Sequence, residues 1–218
     1  MLIPDLSTPF PLSWGFSTRQ DPDSALPPIR LKQIHGCEVV EAGTAIQHAD
    51  GLWTRTPGMA IGVRVADCVP VLLAGPLHGP GGQPWAAALH AGWRGTVGGI
   101  LRRGVALYAE QGGRPEDLVW ALGPAIQKCH FEVGEEVLAA ARRDPAWLDG
   151  LAEPGPRGRP HLDLHGLLRA QALDLGLDPD RGWAAPQCTY CSEGLLESFR
   201  RGDRHGRQWG WVEIQRDR

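Results

Sequence analysis

Three side chains suited to metal ligation or nucleophilic chemistry stand just past apolar, strand-like segments: His35 in KQIHG, Cys68 in VADC and His90 in AALHAGWRG. A sheet delivers the side chains of neighbouring strand ends to one rim, so residues remote in sequence can meet there. Imidazole and thiolate are the donors zinc favours, and three protein ligands leave the fourth tetrahedral position for water or substrate. The same residues also suit two hydrogen-bonded histidines and a small buried hydrophobe, because no HxxxH or CxxC spacing links them.

After His90 the chain reads AGWRGTVGG and enters a helix-like segment. Gly92 and Gly95 there allow backbone N–H groups to approach a ligand, Thr96 suits a helix cap, and Arg94 adds a guanidinium that suits phosphate or carboxylate. A plain turn with a surface arginine is the alternative. The run SFRRGDRHGR places Arg200, Arg201, Arg204 and Arg207 close together, as a second anion contact or as a solvated face. Cys188 and Cys191 form a single CxxC without a second pair, and His161 and His165 have i, i+4 spacing without the HExxH of a metalloprotease. Both pairs read as incidental. Of the nine tryptophans, Trp53, Trp93 and Trp183 are candidates for stacking on a flat ring, although packing accounts for most such residues.

Positioning these groups falls to short elements, since Gly and Pro together supply 29 and 19 of the 218 residues and imply many tight turns. β-Branched and apolar runs predict strands over 29–34, 38–42, 59–66, 69–74, 85–90, 118–122 and 208–214. Helical periodicity predicts helices over 96–111, 133–143 and 163–175, and residues 75–84 and 144–160 read as loops or insertions. Strands clustered first with helices interspersed later favour a mixed α+β sandwich over a doubly wound parallel fold.

Composition sets the outer bounds. With 42% apolar and 22% charged residues the chain is of ordinary globular composition, and its length predicts one domain over 1–218. The 22 basic residues include only Lys32 and Lys128 as lysines, and against 25 acidic residues they leave a net charge of −3, so no global field steers the chain to nucleic acid. No apolar run reaches the roughly 20 residues of a membrane span, and the N-terminus lacks the layout of a secretory signal, which predicts a cytoplasmic protein. Five irregularly spaced cysteines make a poor disulfide framework and a fair source of ligands. No segment marks a protein partner.

Taken in order, KQIHG, ADGLWTRTPGMAIGVRVADCVPVLL, AALHAGWRGTVGGI, ALGPAIQKCHFEVG and CTYC…SFRRG…GRQ resemble the YfiH/YlmD family, formerly called laccase-domain or polyphenol-oxidase-like proteins, over about residues 13 to 214. The resemblance implies a layered α/β sandwich with a mixed central sheet, like that of a bacterial toxin with a Cys–His pair. It implies a zinc-containing purine nucleoside phosphorylase that acts on adenosine, inosine, guanosine and methylthioadenosine and also deaminates adenosine. The family's metal ligands fall on His35, Cys68 and His90. This chain departs from many members at Leu196 and Glu197, where an aromatic pair is usual, and at His130 and Phe131, where they have Cys and Tyr.

On that reading Arg94 and the Gly92–Thr96 backbone, Gly95 included, hold phosphate together with Arg200; Gln33 positions ribose or base; Asp67 transfers a proton or orients its neighbour Cys68. The alternatives are a cysteine hydrolase or peptidoglycan-editing amidase, with Cys68 as nucleophile and His90 as base, a copper-dependent polyphenol oxidase, and a binding module without catalysis. Eight histidines without a single HxH pair argue against a multicopper site and leave room only for Cu2+ in place of zinc.

Overall fold

The computed structural model describes residues 1–21, 31–45, 48–79 and 82–216. Its strands are β1 (Leu12–Phe16), β2 (Val39–Glu41), β3 (Gly51–Thr54), β4 (Ile61–Val65), β5 (Val69–Pro76), β6 (Pro84–Ala91), β7 (Val119–Leu122), β8 (Ala152–Pro154), β9 (Pro160–Leu162), β10 (Gly182–Ala184) and β11 (Gln208–Ile214). The helices are α1 (Trp93–Gly98), α2 (Ile100–Glu110), α3 (Glu135–Ala141) and α4 (Leu164–Asp174). Six strands form a central sheet in the order β10-β7-β5-β6-β3-β2, three form a smaller antiparallel sheet β1-β11-β4, and β8 pairs with β9. β5 runs antiparallel to both β6 and β7, while β10–β7 and β2–β3 are parallel. The sheet is therefore mixed, as the family resemblance implied.

The central sheet is buried on both faces, which is why its strands read as unbroken apolar runs. On β5, Val71 and Leu73 point to the layer formed by α2, α3 and α4, whereas Leu72 and Ala74 point to the small sheet and meet the cluster of Phe16, Ile61, Val63 and Val212. The result is three layers: small sheet, central sheet, helices. Every strand residue of β5 from Val69 to Gly75 is buried, so truncating a side chain such as Leu72 to Ala opens a cavity at a cost of about 2–5 kcal/mol.

Several sequence expectations are corrected. In place of a single helix over 96–111 the chain forms two, broken at Gly99, whose φ of 89° is open to glycine and strained for other residues. The first of them starts at Trp93 with Gly92 at its N-cap, so Thr96 lies inside a helix and does not cap one. Residues 75–84 are not a free loop over their whole length, because the β5–β6 ladder continues to the pair Pro76↔Pro84; residues 80 and 81 lie outside the described residues. Within 144–160 the strand β8 and the start of β9 form a small hairpin. The strand expected over 29–34 lies partly outside the described residues, and its remainder contributes one isolated bridge, Lys32↔His48. The short strands β1, β3 and β10 are additional to the prediction. Among the described residues no helix is long and apolar enough to cross a membrane.

One packing detail of α4 makes stability depend on pH. The helix is capped by Asp163, whose carboxylate accepts from the Gly166 N–H at 2.7 Å, and this turns His165 into the interior. There its Nε2 lies 2.9 Å from the Gly123 carbonyl, and donates to it. Burial lowers the imidazole to about 4, against the raising pull of that carbonyl and of Asp163. Because the unfolded chain binds a proton near pH 6.5 that the folded chain refuses, this stabilising contribution is complete above that pH and is lost as pH falls toward 4. The loss attributable to His165 reaches about 3 kcal/mol. Urea denaturation across this range should show the decline, and His165→Gln, which keeps a donor for Gly123, should remove that part of it; identical slopes in the two proteins would refute the assignment.

Candidate active site

His35, Cys68 and His90 converge as their positions beside strand ends suggested. Cys68 precedes β5, His90 lies near the end of β6 opposite Pro70, and His35 precedes β2. Their ligand atoms all lie within 4.8 Å of one another, and the two imidazoles meet edge to face with ring centres 4.8 Å apart.

A residue absent from the sequence-based set organises this cluster. Asp50, fully buried, accepts from the backbone N–H groups of Ile34 (3.2 Å), His35 (2.8 Å) and Gly36 (2.7 Å), and pairs with His90 Nδ1 at 2.8 Å. Those three amides curl around the carboxylate, which holds His35 at a φ of 61°, a region non-glycine residues rarely adopt. Burial works against the Asp50 charge, yet His90 and the amides of Gly36 and His35 outweigh it and keep the group below the ordinary carboxylate value. Engagement of His90 Nδ1 by Asp50 fixes the ring and leaves Nε2 for a ligand.

The chemistry of the donor set fits a metal ion. Burial raises the Cys68 thiol, but the neighbouring imidazoles of His35 and His90 more than reverse this and bring it to about 7. For His90 burial lowers the pKa, and Asp50 with Cys68 outweighs burial and raises it to about 9. Space is reserved as well: a Cβ on Gly92 would sit 3.0 Å from Cys68 Sγ and 3.3 Å from His35 Cδ2, so glycine there keeps the cradle open. Two nitrogens and one sulfur, with a carboxylate behind one imidazole, suit a metal ion.

The cluster lines a cavity of about 560 Å³. Gln33, Asp67, Arg94 and Arg200 line it too, whereas Gly95 and Thr96 do not. Gly95 is packed against the Gly36 carbonyl, and the Thr96 N–H bonds to the Gly92 carbonyl at 2.8 Å. The Thr96 amide is thereby used within the turn that opens α1. Gln33 is committed to the backbone of Arg64, donating to its carbonyl at 2.7 Å and accepting from its N–H at 2.8 Å. Both Asp67 oxygens are occupied, one by the Thr189 hydroxyl at 2.6 Å and the other by the Arg200 N–H at 2.8 Å. Trp93, a candidate for stacking on a flat ring, and Arg207, from the C-terminal arginine run, also face the cavity, together with Lys32, Arg64, Phe131 and Phe199, which the sequence had not marked for the site. The ring beneath Arg94 is Trp93, with the guanidinium 4.4 Å from its centre, and Arg200 stands 5.4 Å from Phe131.

A three-layer mixed sandwich with a His–Cys–His donor set on a cation-lined cavity defines a class of enzyme with a metal-type site at its sheet rim. Residues 22–215 match the family described as multi-copper polyphenol oxidoreductase laccase, and the chain belongs to that family. It is 39% identical over 191 residues to a purine nucleoside phosphorylase of Deinococcus radiodurans, covering 86% of this chain and 70% of the relative. It is 33% identical to adenosine deaminase RL5 of an unknown prokaryotic organism, covering 78% of this chain and 68% of that one. The solved structure of YlmD from Geobacillus stearothermophilus superposes with a TM-score of 0.74 at 29% identity, covering 86% of this chain and 73% of that one.

Asp50→Asn tests the organising role of the carboxylate. It should weaken binding of a metal ion at this cluster about 10- to 100-fold, as loss of a partner behind a ligating histidine does, and destabilise the fold by about 3 kcal/mol because buried donors lose a charged acceptor. Chelator competition and urea denaturation read the two effects; wild-type values in both would remove Asp50 from the account.

Proposed function

We propose that the chain is a zinc-dependent purine nucleoside phosphorylase, acting on adenosine, inosine, guanosine and methylthioadenosine, with adenosine deamination as a side activity. The observation that carries this reading is the juxtaposition, in one cavity, of the His35–Cys68–His90 donor set, basic side chains and aromatic faces. Phosphorolysis needs an anion held beneath the anomeric carbon, a flat base gripped, and charge on the departing purine relieved. Arg94 and Arg200 supply the anion contacts, and their side chains carry this task in place of the Gly95 and Thr96 amides. Trp93, Phe131 and Phe199 offer apolar faces to the base and keep water from it. Gln33 shapes the wall by pinning Arg64, and Asp67 acts as a positioning residue that holds the Arg200 backbone at the cavity wall, its two oxygens being already bonded. Zinc, when bound, supplies Lewis acidity toward a substrate group or a water molecule. The names of the two relatives support both activities.

One observation favours a second reading. The thiol of Cys68 at about 7 beside His90 at about 9 is also the electrostatic pattern of a thiolate–imidazolium nucleophile, as a cysteine hydrolase or amidase requires. The two readings part on metal and phosphate. Zinc-loaded protein should release free base from inosine and adenosine only when phosphate is present, and Cys68→Ala should lose both the metal at this site and turnover. Catalysis by metal-free protein, blocked by iodoacetamide, would favour the nucleophile instead. Arg94→Ala should raise the KM for phosphate about 10- to 100-fold, as expected for losing a charge-assisted hydrogen bond, with a smaller effect on the KM for nucleoside; equal effects on both would detach Arg94 from the anion.

A further inference from the structure

The cysteines that looked incidental in sequence are gathered in space. Cys129 and His130, on the loop between β7 and α3, meet Cys188 and Cys191, on the loop after β10, with all four ligand atoms within 4.8 Å of one another. The Sγ atoms of Cys129 and Cys191 are 3.8 Å apart, and His130 Nδ1 is 3.2 Å from the first and 3.3 Å from the second. A tetrahedral zinc with Zn–S near 2.3 Å and Zn–N near 2.0 Å requires edges of about 3.8 Å between sulfurs and about 3.5 Å between sulfur and nitrogen. The recorded separations fall close to those edges.

We propose that Cys129, His130, Cys188 and Cys191 form a second metal site, a structural zinc centre of Cys3His type separate from the His35–Cys68–His90 set. Three thiolates and one imidazole are a soft donor set that selects zinc over calcium or magnesium, and four protein ligands leave no open position for substrate. The surroundings already serve the ligands. The Gln127 N–H points at Cys188 Sγ at 3.4 Å, and the His130 ring lies stacked on Tyr190 with centres 4.2 Å apart. On binding, the thiols and any imidazolium give up their protons to solvent, and the ion forms four bonds with no change of oxidation state.

The site joins the two loops that wall the catalytic cavity. Phe131 follows His130 directly, and Arg200 Nη1 donates to the Glu132 carbonyl at 2.9 Å. Arg201 holds the carbonyls of Thr189 and Tyr190 at 2.7 and 2.9 Å, between Cys188 and Cys191. A metal here fastens the aromatic wall and the arginine segment to each other.

Metal content of the intact chain tests the proposal. Wild-type protein purified with zinc should carry two ions per chain, Cys68→Ala one, and Cys68→Ala/Cys191→Ser none. In the Cys68→Ala chain, cobalt(II) should give the visible bands of a tetrahedral ion together with sulfur charge-transfer absorption. Zinc should also protect Cys129, Cys188 and Cys191 from alkylation mapped by mass spectrometry, a readout that needs no further substitution. A wild-type chain with one ion and a Cys68→Ala chain with none would overturn the second site. So would unprotected thiols at 129, 188 and 191, or a Cys129–Cys191 disulfide without metal. One ion in both the wild type and Cys68→Ala, with those thiols protected, supports this site and removes the metal from the catalytic reading.

Discussion

A single buried carboxylate bears much of the design. Asp50 sits where water cannot screen it, so its charge must be satisfied by fixed partners, and the partners it has are the backbone of the His35 turn and the ring of His90. A buried carboxylate short of donors is costly enough that the surrounding chain is constrained to supply them. The left-handed conformation of His35 is sustained by those amide bonds. One interaction therefore sets the backbone conformation of His35 and fixes the ring of His90, and it does so from the residue before β3, an element anchored between β2 and β6.

The central strands and two of the helices were legible because burial on both faces writes long apolar runs, because α3 buries Val137, Leu138 and Ala141 along one side, and because the leucines of α4 recur at helical spacing. Less was legible where a decision depended on partners distant in sequence. Asp50 in HADG reads as a turn residue, and nothing local distinguishes a turn aspartate from one that faces three amides and an imidazole. The break at Gly99 had a local signal in the Gly98–Gly99 pair, which the strong apolar periodicity on either side outweighed. β1 and β3 are short, and β3 carries a glycine at its start, where a side chain would press into Leu89 and Val39. The convergence of His35, Cys68 and His90 followed from strand ends and from resemblance together; spacing alone left it open. For Cys188 and Cys191 the missing pair was Cys129–His130, and adjacency of Cys and His is not a spacing that sequence rules for zinc anticipate.

The cavity also shows how a chain of net charge −3 can gather positive charge in one place. Lys32, Arg64, Arg94, Arg200 and Arg207 face one concavity, and the carboxylate beside them, Asp67, spends both oxygens on Thr189 and Arg200. Elsewhere arginines are paired, as in Arg19 with Glu197 and Asp203, or Arg102 with Asp144 and Asp174. Field strength in the cavity thus comes from placement, with low-dielectric aromatic walls concentrating it.

The His–Cys–His donors come from three separate stretches of chain and meet only when the central sheet is assembled. An unfolded chain holds no such site, so any ion that prefers the assembled ligands adds its binding free energy to that of folding. Free metal concentration then acts as a dial on the folded population: at a hundred times the dissociation constant, the added stability is about 2.7 kcal/mol, a large share of what an ordinary domain possesses. On the proposed metal reading, the abundance of the folded chain would become, through that linkage, a reading of how much metal its surroundings supply.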